Sequence, residues 1–265
     1  MVEPDKEPRA ALNASPTRHP QPEPIAGLLV FDKPLGWSSM KAVAVVRRLA
    51  GRARTGHAGT LDPLATGILV LALGKATRSI ESLMATEKRY RTVVDLSAFT
   101  PTDDCEGERT EVAVASPPSR AAVEAALRQL TGVIQQRPPA FSAMKIGGRR
   151  AYAMARQGQA IELAPRPVTV HAIEILRYDY PQLEIAVHCG KGTYIRSLAR
   201  DLGVLLGTGG HCATLRRTAV GRFDESMAFT DATLPEVIRQ EHLLPWSMTQ
   251  DPSAPPSPLT DSTTP

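Results

Sequence analysis

The chain has 265 residues, of which 42% are hydrophobic and 22% charged, with a formal net charge of +4. These values are typical of a globular protein with a substantial core. No apolar run approaches membrane-spanning length and the N-terminus lacks signal-peptide character, so we expect a soluble, cytoplasmic protein. The odd number of cysteines, without a C-x-x-C pattern, argues against a disulfide framework and a structural zinc site.

Both ends of the chain predict disorder. Residues 1–25 are rich in proline and polar residues, and residues 251–265 contain almost only Pro, Ser, Thr and Asp. Such segments bury too little apolar surface to fold. The expected folded body is therefore a single domain over residues 26–250.

The first elements of this body follow from apolar spacing and capping residues. Residues 27–32 form an apolar run that predicts a buried strand. Ser38 or Ser39 then caps a helix that ends at Gly51. The predicted apolar stripe of this helix is Met40, Val43, Val46 and Leu49 with Ala50.

Further strands and helices are predicted along the rest of the body, after a loop over residues 52–65. Because many strands are adjacent in sequence, an α+β fold with a largely antiparallel sheet is favoured over a doubly wound one. The predicted strands are 67–73, 90–96, 168–178, 183–189 and 215–223, and the predicted helices are 76–84, 119–130 and 194–206. A short helical piece is expected within residues 234–246.

Basic residues are concentrated in three tracts that are almost free of acids. These tracts lie between residues 33 and 62, between 124 and 162, and from 187 to 218, where Asp201 is the lone acid. If they converge on one face, they would neutralise phosphates of a nucleic acid. The alternative is a set of separate solvated faces.

The segment G-H-A-G-T-L-D-P-L-A-T-G at residues 56–67 is the first candidate for chemistry. Its glycines permit tight backbone conformations, and Pro63 fixes the residue after Asp62. Such a loop holds one carboxylate rigidly against a ligand. Loop composition by itself favours the simpler interpretation, in which Asp62 bonds only neighbouring amides.

Two other segments place an aromatic or a cation beside a strand end. In K-R-Y-R at residues 88–91, Tyr90 would stack on a base or pack in the core. In G-K-G-T-Y-I-R at residues 190–196, backbone amides and Lys191 would meet a phosphate, and Arg196 would pair with a carboxylate. The P-loop pattern is absent.

The segment R-P-P-A-F-S-A-M-K at residues 137–145 and the basic run after it suit a loop laid along a nucleic-acid backbone, or an ordinary basic surface loop. The histidines show no metal-ligand spacing such as H-x-x-x-H, and G-x-S-x-G and G-x-G-x-x-G are absent. We therefore expect no metal and no cofactor.

Together with G-L-L-V-F-D-K-P-L-G-W-S-S at residues 27–39, these segments closely resemble the bacterial TruB family, over residues 27–248 and in the same order. The resemblance implies a pseudouridine synthase fold, with a mixed, largely antiparallel central sheet and flanking helices, and an active-site cleft across the sheet. It implies an isomerase that makes pseudouridine at position 55 of tRNA. It also implies an RNA-clamping insertion at about residues 132–165. Many members carry a C-terminal PUA domain, and none is expected here.

The resemblance also assigns roles to individual residues. Asp62 falls on the catalytic aspartate, and Arg196 on the arginine that pairs with it. Tyr90 falls on the tyrosine that stacks against the flipped base, with Tyr194 in the same pocket. His57 falls on a histidine that helps displace the target nucleotide. The other candidate substrate-binding residues are Lys33, Lys145, Arg149 and Arg150.

The chemistry implied by the resemblance needs neither redox nor energy input. Asp62 either attacks covalently or removes a sugar proton to give a glycal. We expect Arg196 to lower the pKa of Asp62 and keep it ionised. The expected partner is the T-arm of tRNA, with a monomeric enzyme and no obligate protein partner. The alternatives are a non-catalytic RNA-binding protein and a synthase guided by RNA and partner proteins.

Overall fold

A computed structural model describes residues 25–141, 145–146, 149–150 and 163–249 of the chain. The two predicted tails therefore lie outside the described residues, apart from Ile25. A single nine-stranded sheet dominates the described part. Its strands are β1 (Gly27–Lys33), β2 (Thr55–His57), β3 (Ala65–Leu73), β4 (Lys88–Asp95), β7 (Gly132–Gln136), β10 (Arg166–Asp179), β11 (Gln182–Cys189), β12 (His211–Val220) and β13 (Phe223–Asp224).

The strand order along the sheet is β1-β3-β12-β4-β11-β10-β7, with β2 beside β3 and β13 beside β12. Among the paired strands, β3 and β12 run parallel, and the other pairs are antiparallel. The predicted α+β class with a mixed, largely antiparallel sheet is confirmed. Two short antiparallel pairs lie outside the sheet: β5 (Ala98–Phe99) with β6 (Thr110–Glu111), and β8 (Lys145–Ile146) with β9 (Arg149–Arg150).

Four α-helices are described, and the predicted caps are found at two of them. Ser38 Oγ accepts the Lys41 amide at the start of α1, and Ser119 Oγ accepts the Ala122 amide at the start of α3. Gly207 ends α4 in the left-handed conformation, with φ of 66°. The helices are α1 (Ser39–Leu49), α2 (Ile80–Ala85), α3 (Arg120–Gln129) and α4 (Ile195–Leu206).

Several predicted details are wrong. Met40 lies on the solvent side of α1 with 60% exposure, and Ala42 takes its place beside Val43 and Val46 in the core. The expected loop at 52–65 contains β2, since its residues pair with the end of β3. The strand predicted over residues 215–223 is β12, which begins earlier, at His211. A turn at Gly221 separates it from the short strand β13. The C-terminal helical piece consists of short 3-10 turns, such as Gln240–His242.

The core lies on both faces of the sheet. Along β1, Leu29 and Phe31 face one hydrophobic cluster, while Leu28 and Val30 face the other. Helices α1, α3 and α4 cover the first face, and α2 with the preceding 3-10 turn covers the second. Burial on both faces explains why β1 and β3 are continuous apolar runs. No helix in the described part of the chain has the length and apolar character needed to cross a membrane.

The stretch expected to clamp RNA begins within the sheet. Residues 132–136 form the edge strand β7, which pairs with residues 166–170 of β10. Between them, the structure describes the backbone of the β8–β9 hairpin, which contains Lys145, Arg149 and Arg150. The side chains of this hairpin and residues 151–162 lie outside the description. The RNA-clamping role stays a prediction.

Candidate active site

The loop between β2 and β3 is held in place at both ends and in its middle. Ala58 donates its amide to Val70 O at 2.9 Å, and Ala65 donates to Asp62 O at 3.0 Å. In the middle, the buried Ser39 hydroxyl accepts the Leu61 amide at 2.8 Å and donates to Leu61 O at 3.0 Å. These hydrogen bonds fix the backbone on both sides of Asp62.

A glycine is required where this loop enters the parallel strand pair. Gly67 has φ of 101°, and a Cβ placed there would lie 2.2 Å from the Arg217 carbonyl oxygen. Only a residue without a side chain permits this approach. Gly67 thus allows β12 to lie beside the start of β3 and brings Arg217 to the loop.

Arg196, in the first turn of α4, connects Asp62 to the rest of the protein. Its side chain is buried, at 4% exposure, whereas the side chain of Asp62 is 36% exposed. One terminal nitrogen of Arg196 lies 2.9 Å from Asp62 Oδ2, and the other lies 2.9 Å from Asp104 Oδ2. The backbone oxygens of Thr102 and Phe141 each accept a further bond from the guanidinium, at 2.9 Å.

Asp104 is a buried partner of Arg196 that the sequence patterns did not reveal. Its side chain is 2% exposed and also accepts bonds from the Thr102 hydroxyl and the Glu106 amide. These donors fix the position of the Asp104 carboxylate. Because the guanidinium of Arg196 is planar and its donors have fixed directions, the fixed carboxylate holds it in one orientation. The signal that could have found it is the pair of acids, Asp103 and Asp104, a few residues after a predicted strand.

The electrostatic balance at Asp62 differs from the expectation. Burial raises the pKa of Asp62, the charge of Arg196 lowers it, and the nearby Asp104 raises it, with a net shift upward. The expected lowering by Arg196 is therefore present but does not decide the direction. Burial has the largest effect on the pKa of Asp62, because a carboxylate with only one edge exposed to water is incompletely hydrated.

Tyr90 and Arg217 line the cleft together with Arg196. Burial raises the pKa of Tyr90, although the charge of Arg217 opposes this shift. Arg217 is 2% exposed and donates to the backbone oxygens of Ile68 at 2.7 Å and Gly59 at 3.1 Å. Alternation along β12 places it with the buried Leu215 and Ala219, and that period is the signal by which it could have been found.

Lys33 and His57, which were also predicted to bind the substrate, do not line the cleft. Lys33 is fully buried, and its ammonium donates to Trp37 O at 2.7 Å and Pro34 O at 3.0 Å. Burial lowers its pKa to about 8, although the charge of Asp62 opposes this. His57 lies in β2, where burial and then Arg217 lower its pKa. Neither is among the residues that line the cleft.

Tyr194 is held at the N-terminus of α4 by a buried glutamine. The side chain of Gln136 accepts the Tyr194 amide at 2.8 Å and donates to Tyr194 O at 3.1 Å. The Arg166 guanidinium lies 5.3 Å from the centre of the Tyr194 ring, a cation–π contact. Tyr194 therefore presents its ring in a defined position at the cleft.

The cleft itself has a volume of about 310 Å³, which is within the range of small-molecule sites. Asp62 is the one carboxylate in its described lining, and the cations there are Lys88, Arg196 and Arg217. Of the predicted residues, the structure brings Asp62, Tyr90, Tyr194 and Arg196 together around this cleft. The cations and aromatic side chains suit the binding of an anionic ligand that has an aromatic ring. The single carboxylate can then act on this ligand as a nucleophile or as a general base.

Two sequence families match adjoining parts of the chain. The family described as TruB family pseudouridylate synthase (N terminal domain) matches residues 47–195. The family described as tRNA pseudouridylate synthase B C-terminal domain matches residues 196–245. The boundary between the two falls at the start of α4.

Two bacterial relatives are 50% identical to this chain over the residues that match. The tRNA pseudouridine synthase B of Thermobifida fusca is 50% identical over 227 residues, which are 83% of this chain and 76% of that protein. The tRNA pseudouridine synthase B of Leifsonia xyli is 50% identical over 216 residues, or 79% of this chain and 72% of that protein.

Two solved structures share the fold. The Cbf5-Nop10-Gar1 complex matches with a TM-score of 0.64 and 27% identity over 84% of this chain, which spans 61% of that chain. An H/ACA RNP bound to a substrate RNA containing 2'-deoxyuridine matches with a TM-score of 0.61 and 25% identity, over 84% of this chain and 60% of that chain.

Proposed function

The chain belongs to the TruB family of pseudouridylate synthases, and from that premise we propose that it isomerises uridine 55 in the T-loop of tRNA to pseudouridine. The observation that carries this proposal is the partly exposed Asp62 carboxylate, held 2.9 Å from buried Arg196 in a cleft that Tyr90 also lines. The reaction is an isomerisation and consumes no cofactor.

The reaction breaks the N1–C1′ bond, turns the base and forms the C5–C1′ bond. C5 loses a proton and N1 gains one, so atoms and electrons balance without an oxidant. An ionised Asp62 supports either route for the first step, attack on C1′ or removal of a sugar proton. The salt bridge to Arg196 orients the carboxylate, and its exposed edge is the part that can meet the sugar.

The uridine has to leave its stack before it can enter the cleft. Flipping costs a few kcal/mol, and stacking on an aromatic side chain returns about 1–3 kcal/mol. Tyr90 offers this stacking face within the cleft, and its hydroxyl is a candidate for moving the C5 proton. His57, the last residue of β2 before the loop that carries Asp62, is assigned to the space that the uridine vacates.

We assign recognition of the tRNA to two features. Basic residues of the protein position the RNA backbone, and the shape of the T-loop supplies most of the specificity. The basic residues of the β8–β9 hairpin would contact the T-arm. The protein acts as a monomer without an obligate partner, because one chain supplies the carboxylate, its arginine and the stacking aromatic. With tRNA as its substrate, it works in the cytoplasm.

The test is turnover by purified protein on an unmodified tRNA transcript that carries tritium at C5 of its uridines. Tritium release stoichiometric with one uridine, with or without EDTA in pre-folded tRNA, is the expected result. A transcript with cytidine in place of uridine 55 is the matched control and should release none. Release that requires added guide RNA or partner proteins would instead favour a guided synthase, and binding without release would favour a non-catalytic RNA-binding protein.

A further inference from the structure

Two histidines on neighbouring strands and a glutamate next to a third strand meet outside the active site. Glu87 immediately precedes β4, His188 lies in β11 and His171 lies in β10. The spacing of these residues in sequence carries no metal-binding pattern, which is why no metal role is predicted for the histidines. The sheet order β4-β11-β10 nevertheless places them side by side.

The geometry of this cluster suits a metal ion. His188 Nε2 lies 2.8 Å from one oxygen of Glu87, and His171 Nε2 lies 3.3 Å from the other. All three ligand groups offer an atom within 4.8 Å of one another. Ligand atoms of tetrahedral zinc are about 3.3–3.5 Å apart, given bonds of about 2.0–2.2 Å, so small side-chain rotations are sufficient.

A bulge in β10 aims His171 toward this point. The pairing of β10 with β11 shifts register between Val170 and Ala172, which leaves His171 as the extra residue. Bulges re-aim a side chain that would otherwise alternate to the opposite face. As a result, the two imidazole rings lie with their centres 4.8 Å apart.

The three side chains are accessible to an incoming ion. His171 and His188 are 34% and 32% exposed, and Glu87 is 55% exposed. The cluster adjoins the cleft, since a Cβ placed on Gly190, which lines the cleft, would lie 3.9 Å from His171 Nε2. It shares no residue with the cleft lining, so occupancy by a metal is separate from the chemistry at Asp62.

We propose that Glu87, His171 and His188 form a binding site for a divalent transition-metal ion of the Zn²⁺ class. Two imidazoles and one carboxylate form a donor set that zinc accepts in proteins, and three protein ligands leave a fourth position for water or an oxyanion. Imidazole nitrogens select against Mg²⁺, which prefers oxygen ligands in an octahedral arrangement. The proposal does not depend on the substrate assigned above.

The experiment is a titration of metal-free, full-length, untagged protein with Zn²⁺ by calorimetry, and with Co²⁺ by visible absorption. We expect one Zn²⁺ per chain, and no comparable binding of Mg²⁺. The His171→Ala/His188→Ala double variant should bind at least about 100-fold more weakly, beyond the loss typical of outer-shell changes. Glu87→Gln should also weaken binding, and Zn²⁺ should raise the melting temperature of the wild type but not of the double variant.

Two matched controls keep the result specific. His242→Ala removes a histidine that also lies beside a glutamate, and Cys105→Ser removes the exposed thiol. Both should bind Zn²⁺ like the wild type. Equal binding by the wild type and the double variant, no saturable binding by the wild type, or loss of binding in Cys105→Ser would each overturn the assignment. If the double variant fails to fold, the Glu87→Gln variant decides. Weaker Zn²⁺ binding by this variant supports the site, and unchanged binding shows that Glu87 is not a ligand and overturns the assignment.

Discussion

Replacing Arg196 with lysine perturbs the interaction on which the proposed chemistry most depends. The guanidinium makes four bonds of 2.9 Å, two to the carboxylates of Asp62 and Asp104 and two to backbone oxygens. A lysine ammonium keeps the positive charge but has three donors on a single nitrogen. It cannot reach two carboxylates on opposite sides of a planar fork.

The expected loss follows from the number of bonds that lysine gives up. At least one charge-assisted hydrogen bond is removed, worth about 1.5–3 kcal/mol. If that bond orients Asp62 for the chemical step, its removal corresponds to roughly a 10- to 150-fold slower reaction. Affinity for tRNA should change little, because Arg196 is buried and only the edge of Asp62 faces the substrate.

The assay is the single-turnover rate of tritium release, with enzyme in excess over tRNA, together with a binding titration. Arg200→Lys is the matched control, since Arg200 lies one turn further along α4 and pairs with Asp103 and Asp201 instead. Its rate should stay within about fivefold of the wild type. An Arg196→Lys rate within about twofold of the wild type, or an equal loss in Arg200→Lys, would refute the orienting role.

Four further predictions test the remaining assignments. Asp62→Asn should abolish tritium release and leave tRNA affinity within several-fold, since an amide is neither base nor nucleophile; residual turnover in single-turnover assays would contradict this. Because burial raises the pKa of Asp62, the wild-type rate should decline on acidification at a higher pH than an ordinary aspartate would give, and a pH–rate profile measures this. Tyr90→Phe should bind RNA normally but slow the chemical step, and an unchanged rate would leave Tyr90 a stacking role only. Neutralising Lys145, Arg149 and Arg150 together should flatten the log–log salt dependence of tRNA binding, by about 0.7–0.9 for each phosphate that the hairpin no longer neutralises, whereas an unchanged slope means that the hairpin does not meet the RNA backbone.

Local sequence patterns were sufficient for most of the helices and strands. The strand at Gly27, the caps at Ser38 and Ser119, and the stop at Gly207 all depend on residues close together in the chain. The family motifs identified Asp62, Tyr90 and Arg196 as a set, and the structure brings them to one cleft. Where local signals are ambiguous, as in α1, the predicted apolar stripe is partly wrong, since Met40 is exposed and Ala42 is buried in its place.

The fold class could be predicted from the chain because period, capping and glycine placement act over a few residues, whereas the cleft residues were predicted from the resemblance of the motifs to a known family. Which distant groups become partners depends instead on the arrangement of the strands in space. Asp104 meets Arg196 across a separation of 92 residues, and His171 meets Glu87 because strand order and a bulge bring them together, so neither pairing is visible in sequence spacing. The direction of the Asp62 pKa shift likewise depends on burial, since desolvation reflects everything packed around a carboxylate rather than one neighbouring charge.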